Sequence, residues 1–264
     1  QNSNYIVSYL MTNPIYKSTV FLFLFFIYGF TLADQPNALQ VLKKVEQKLV
    51  SSSMYAELEV TIERPRWTKK MELHTWSKGK ELAAAYVSRP EKDKGTVYMK
   101  NGNNVYNYLP KIRKTIKLPA TMLNQSWMGT DLSADDLVKL TKLVNDYTAK
   151  IIGSQTVSGR GCHVIELLPK TEADVLWGKL VLYIDKEEYI QLKTVFYDED
   201  LSEVNTLIGS ELKVFSGKKL ASKLVMIPTN KSGHKTTIKY SKIIFNENIQ
   251  DSFFSKENIA KIKP

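Results

Sequence analysis

Beginning at Met54, apolar and polar residues alternate with a period of two, and the chain keeps returning to that period until Phe245. Met54, Ala56, Leu58, Val60 and Ile62 fall on one face of an extended segment, with Tyr55, Glu57, Glu59, Thr61 and Glu63 on the other. Successive strand side chains point to opposite faces, so this pattern describes a half-buried strand and gives a helix no coherent apolar stripe. Comparable strands are predicted over 70–78, 80–89, 95–100, 103–109 and 113–118, and again over 147–152, 162–168, 179–185, 191–197, 203–215, 219–227 and 235–245. Lys78-Gly79-Lys80, Asn101-Gly102, Ser158-Gly159-Arg160-Gly161 and Ser216-Gly217 stand between them, and Asn-Gly is the dipeptide that two-residue hairpins favour. Short strands joined by polar turns predict an antiparallel sandwich or barrel.

Helical spacing interrupts the strands twice. Ala38, Val41, Leu42, Val45 and Leu49 recur at three- and four-residue intervals within 36–50, with Lys43, Lys44, Gln47 and Lys48 opposite, which predicts an amphipathic helix. In 119–144, Met122, Leu123, Trp127, Met128, Leu132, Leu137, Leu140 and Leu143 predict a short helix near 120–127 and a second near 134–144. Ser133 and Asp136 form a capping-box pattern before the second.

The N-terminus reads as an address. Lys17 precedes the apolar run Val20–Phe30, and Thr31-Leu32-Ala33 ends in a small residue, the pattern of a cleavable secretory signal. The run is short for a bilayer core about 30 Å thick, although an uncleaved anchor is the alternative. Met11 is the expected initiator with residues 1–10 upstream of it, and 34–264 is expected to be a single exported domain. No cysteine stands at the cleavage position for lipid attachment. The one cysteine in the chain, Cys162, cannot form an internal disulfide, and no Cys-rich metal module is available.

Catalytic spacing is missing. Cys162 and His163 are neighbours on a predicted strand and therefore face opposite ways. His74 and His234 stand alone, and no histidine spacing suits a metal. Asp135-Asp136 suits a helix N-terminus and Glu187-Glu188 a hairpin turn, while Gly159-Arg160-Gly161 lacks the third glycine of a dinucleotide loop. The expectation is a protein that is not an enzyme and holds no metal or cofactor.

A net charge of +10, or +9 once residues 1–33 and their one charge, Lys17, are removed, raises the question of an anionic partner. Lysines and arginines are spread over strands, which argues against nucleic acid. The densest stretch is 110–119, where alternation would put Lys111, Arg113 and Lys117 on one face, a candidate patch for anionic headgroups. Ile112, Lys114, Ile116 and Leu118 would share the other face. Close by are Tyr106 and Tyr108, Met122, Leu123, Trp127 and Met128, a Met- and aromatic-rich set suited either to a core or to flexible acyl chains.

The stretches Tyr106-Asn107-Tyr108-Leu109-Pro110-Lys111-Ile112-Arg113-Lys114 and Gln125-Ser126-Trp127-Met128-Gly129-Thr130-Asp131 resemble those of the outer-membrane lipoprotein-sorting, or LolA-like, proteins, in particular a longer branch of them. Lys94-Gly95-Thr96, Asp146-Tyr147-Thr148, Gly159–His163 and Phe245-Asn246 fit the same pattern, and the similarity runs from about Met54 to Phe254. The resemblance implies a mainly β fold, an incomplete antiparallel β-barrel wrapped around a hydrophobic cavity and lidded by α-helices. It implies a monomeric periplasmic carrier of lipoprotein acyl chains or phospholipid, with an inner-membrane transporter and an outer-membrane acceptor as partners. A lipid-binding accessory of a transporter and a lipid-sensing regulator of the same fold are the alternatives. On this reading Tyr106, Tyr108, Met122, Leu123, Trp127 and Met128 line cavity and lid, and the lid is 119–144. The arginine by which the standard carrier contacts its lid has no motif match here, Arg113 included.

Overall fold

Asn37 begins the first element because its side chain can cap a helix. In the computed structural model, which describes residues 37–49, 52–79, 81–119, 122, 125–132, 143–173 and 175–264, Asn37 Oδ1 accepts the Gln40 N–H at 2.8 Å. Gln40 Oε1 accepts the Asn37 N–H at 3.1 Å, a reciprocal box that satisfies two otherwise orphaned donors. Helix α1 (Ala38–Leu49) follows, and its predicted stripe is buried at Ala38, Val41, Leu42 and Val45, the side chain of Leu49 lying outside what the structure describes. Burying a side chain the size of Val41 or Leu42 stabilises by about 2 kcal/mol. At its far end Lys218 Nζ donates to the Lys48 carbonyl at 2.9 Å, a cation where the helix dipole is negative.

The period-two segments become β1 (Ser53–Arg64), β2 (Trp67–Lys78), β3 (Leu82–Arg89), β4 (Val97–Asn101), β5 (Asn104–Leu109) and β6 (Lys114–Leu118). After a short helix α2 (Leu143–Asp146) come β7 (Tyr147–Val157), β8 (Arg160–Pro169), β9 (Lys179–Asp185) and β10 (Gln191–Tyr197). The series ends with β11 (Glu203–Phe215), β12 (Lys218–Pro228) and β13 (Lys235–Phe245). All thirteen join one antiparallel sheet in the order β6-β5-β4-β3-β2-β1-β13-β12-β11-β10-β9-β8-β7. The sheet is open, with β6 and β7 as its two edges, so the expected incomplete barrel is what the chain forms. The β1–β13 pairing brings the first and last strands together at mid-sheet, with Val60 opposite Ile238. Register shifts at Glu57/Leu58, Glu72/Leu73 and Ile151/Gly153 mark bulges, which bend and twist the strands that carry them.

One face of this sheet is largely apolar from β2 across to β8. Leu58, Val60 and Ile62 of β1 align with Met71 and Leu73 of β2, and with Leu224 and Met226 of β12 by way of Thr236 and Ile238 of β13. The same parity continues through Leu207, Phe196, Leu182 and Ile165. These side chains and the stripe of α1 form the main core. The opposite face of β2–β5 has its own cover. Two 3-10 turns, Asp251–Phe254 and Ile259–Lys261, lay Phe254, Ile259 and Ile262 against Trp76, Ala84, Val97 and Met99.

One local expectation changes, and others fall partly or wholly outside the described residues. The strand expected from Arg113 starts at Lys114, because Pro110–Ile112 is a 3-10 turn and Arg113 leaves it at φ 50°. Of the helix expected near 120–127, Met122 is helical and residues 120, 121, 123 and 124 lie outside the described residues, while Trp127–Gly129 forms a 3-10 turn with Met128 at φ 50° and Gly129 at φ 87°. The Ser133–Asp136 capping box lies outside the described residues, as do residues 1–36 with their expected signal.

Candidate functional site

The inner face is not completely filled by α1. A cavity of about 210 Å³ opens among Leu58 and Val60 of β1, Leu73 of β2, Ala83 and Ala85 of β3, Tyr98 of β4 and Val105 of β5. A second, of about 270 Å³, lies between Val45 of α1 and Leu207, Leu224, Ile243 and Phe245. Met54, Ser77 and Tyr240 line both. The small residues matter: Ala83 and Ala85 sit opposite Ser77 and Thr75 on β2, leaving a gap where larger side chains would close the wall.

Two tyrosines of the lining are held in their neutral form. Burial pushes the Tyr240 phenol above its ordinary range. It does the same for Tyr98, against the opposing effect of a hydrogen bond with Asn107, so both rings are neutral at physiological pH. Lys100, which also lines the first cavity, is paired with Glu81 at 3.5 Å.

The Gln125–Asp131 segment contributes Trp127 and Thr130 to the wall of the first cavity. Trp127 is buried, lines the cavity and meets Tyr98 edge-on with ring centroids 5.5 Å apart. The turn is tied internally: the Trp127 N–H donates to the Leu132 carbonyl at 2.8 Å, and Thr130 Oγ1 donates to the Trp127 carbonyl at 2.7 Å. Arg64, at the end of β1, holds it to the sheet. Its Nη1 donates to Asp131 Oδ2 at 3.0 Å and its Nη2 to the Gly129 carbonyl at 2.6 Å. Thr236 Oγ1 of β13 donates to the same Asp131 oxygen at 2.7 Å. The two charged side chains are 9% and 5% exposed, a buried ion pair.

The residues singled out from the sequence divide. Trp127 lies on the first cavity, and Met128 packs against the main core beside it. Met122 is exposed and Leu123 lies outside the described residues. Tyr106 and Tyr108 stand on the other face of the sheet. Val105 and Asn107 take the inward parity of β5, so their neighbours turn outward onto the cluster covered by the C-terminal turns. Lys111 and Arg113 are exposed on the β5–β6 turn, and Lys117 is on β6 opposite Tyr106. The expected single basic face is therefore broken at the turn, whose helical geometry ends the alternation.

Sequence reasoning missed Tyr98, Tyr240, the two alanines and Arg64. Arg64 carried a signal: it continues the inward parity of Leu58, Val60 and Ile62, and an inward cation ending an apolar stripe needs a carboxylate partner.

Cys162 and His163 do face opposite ways. Cys162 packs with Ile190 and Leu192, and burial pushes its thiol up. His163 pairs across to Ile184, and burial, helped by Lys186, pushes its imidazole down. Outside the cavities, Tyr55 Oη contacts His74 Nδ1 at 2.8 Å and donates to Glu57 Oε1 at 3.0 Å. Burial first, then Glu57, raises that phenol to about 12, so it is no base. Among the described residues no group of His, Cys, Asp or Glu is arranged to hold a metal, and no helix is long and apolar enough to cross a membrane.

A protein-family model described as an uncharacterized protein matches residues 79–261. No curated protein matches the sequence. Solved structures do. A DUF1329 family protein from Desulfovibrio piger ATCC 29098 superposes with a TM-score of 0.77 at 21% identity, over 84% of this chain and 97% of that one. A domain from Vibrio parahaemolyticus described as an outer membrane lipoprotein-sorting protein gives 0.76 at 18%, over 84% and 98%. A LolA superfamily protein from Nitrosomonas europaea gives 0.71 at 18%, over 84% and 99%.

Proposed function

Because the chain belongs to the family whose model spans residues 79–261, and because its fold is that of the LolA superfamily, we propose that it is a periplasmic carrier. It takes the acyl chains of lipoproteins or lipids into its inner-face cavities and shuttles them toward the outer membrane. The observation that carries this reading is the pair of apolar cavities meeting at Met54, Ser77 and Tyr240. An open sheet with an apolar inner face has two ways to keep that face dry, its own side chains or a guest. Here the small residues of β3 leave room for the guest.

The mechanism is exchange, with no bond made or broken. Each methylene that leaves water contributes about 0.8 kcal/mol, so part of an acyl chain already gives useful affinity. Release to an acceptor requires that affinity to stay moderate, and the proposed gate is the Trp127–Asp131 turn, whose Trp127 and Thr130 line the first cavity. The proposed domain is residues 34–264, delivered by the N-terminal signal and acting as a monomer.

Native mass spectrometry of the exported protein, purified without detergent and then extracted with organic solvent, tests the reading. A bound lipid or acylated peptide is the expected result. A protein that is empty as purified and also fails to take up a fluorescent fatty acid would overturn it.

A further inference from the structure

At one end of the sheet β1 turns into β2, β3 into β4 and β5 into β6. The three connections are side by side. Adjacent strands are about 4.8 Å apart, so the outer two tips are separated by roughly 19 Å with the 90–96 loop between them. That loop touches both neighbours: Lys69 of β2 pairs with its Asp93 at 3.1 Å, and a Cβ on Gly95 would meet Pro110 at 3.3 Å.

The charges on this rim have a consistent sign once paired groups are set aside. Its acids are all engaged: Glu63 with Lys235, Glu72 with Arg89, Glu91 with Lys94 and Asp93 with Lys69. Arg66, Lys92, Lys111, Arg113 and Lys114 are exposed and form no ion pair among the described residues. Among these cations stand two large apolar side chains, Trp67 at 50% and Ile112 at 57% exposure, one on each outer hairpin. The Arg64 guanidinium lies 5.8 Å from the Trp67 ring centroid, yet half of the indole stays open to water. A headgroup layer attracts the cations and takes up the indole and the isoleucine.

We propose that this rim, formed by the β1–β2, β3–β4 and β5–β6 connections, docks the protein on an anionic bilayer surface with Trp67 and Ile112 entering the headgroup layer. The surface is separate from the cavities and does not depend on what they hold. Lys117, set back on β6 opposite Tyr106, is not part of it.

Vesicles of phosphatidylcholine, with and without about one-third phosphatidylglycerol, supply the test, using wild type and variants in the same processed form. The apolar N-terminal run, where retained, would favour both vesicle types, so the reading is the difference between compositions and between variants. The wild type is expected to prefer anionic vesicles, to lose that preference at high salt, and to show a blue shift of tryptophan emission that Trp67→Phe abolishes. Combining Lys111→Ala, Arg113→Ala and Lys114→Ala is expected to weaken anionic binding on the order of 100-fold, with fatty-acid uptake unchanged. Should that variant fold poorly, Arg66→Ala with Trp67→Ala probes the same rim from the other hairpin. Equal binding to both vesicle types, or well-folded rim variants that bind as wild type, would overturn the proposal.

Discussion

Arg64 is a residue whose partners decide its role. It reaches Asp131, Gly129 and its own strand's Glu63 carbonyl from a nearly closed position. Removing one partner of a buried ion pair leaves the other charge desolvated and typically costs about 3–5 kcal/mol. Arg64→Ala is therefore expected to lower stability in urea by an amount in that range, and more than Arg113→Ala, whose side chain is exposed on a turn. Indistinguishable unfolding midpoints for the two variants would show that Arg64 does not hold the turn. Gly178 makes a different kind of demand. A Cβ there would lie 2.3 Å from the Asp198 carbonyl oxygen and 2.9 Å from Glu199 Cα, both backbone atoms that cannot rotate away. Gly178→Ala should cost about 2 kcal/mol or more by forcing the β8–β9 and β10–β11 connections apart. A thermal midpoint equal to wild type would show that the two loops can separate freely.

Among the elements, the β8–β9 pair carries a pH-dependent brace. Arg160 donates to both carboxylate oxygens of Asp185, at 3.0 and 2.9 Å, and the Glu188 N–H adds a third bond at 2.7 Å. Burial alone would raise the Asp185 carboxyl, but these donors and the guanidinium charge hold it below its ordinary range. The folded state thus binds this proton more weakly than the unfolded chain does. The stabilisation is full above the ordinary carboxylate range and is lost as pH falls through the lowered value. Asp185→Asn should cost about 2 kcal/mol near neutral pH and flatten the fall in stability on acidification. Parallel stability-against-pH curves for variant and wild type would refute that assignment. Elements of this kind were legible as strands, because their residues alternate. Their partners were not: the brace joins Arg160 to a residue one hairpin away, and periodicity carries no information about which strand lies alongside. The same gap misplaced Tyr106 and Tyr108. Their common face was plain in the sequence, yet nothing local showed that residues 249–262 would cover it and leave the other face to the cavity.

For the whole molecule, the sheet's length and its lack of closure set the problem that the cavities answer. The inner face runs across all thirteen strands, and among the described residues the twelve-residue α1 covers only part of it. Met54, Ser77 and Tyr240 stand between two of the chambers left on it, whose other walls come mostly from β1–β5 for one and from β10–β13 with α1 for the other. Narrowing the first chamber alone should shorten the chain that fits without abolishing binding, because the second is untouched. Ala85→Leu does this from β3, where the added side chain points inward between Thr75 and Tyr98. Each methylene it excludes should cost about 0.8 kcal/mol, roughly four-fold in affinity. Across a series of saturated fatty acids, the variant's affinity should therefore match wild type for short chains and fall progressively behind as they lengthen. A uniform loss at every length would mean that the first chamber admits no chain and that Ala85 acts only through packing.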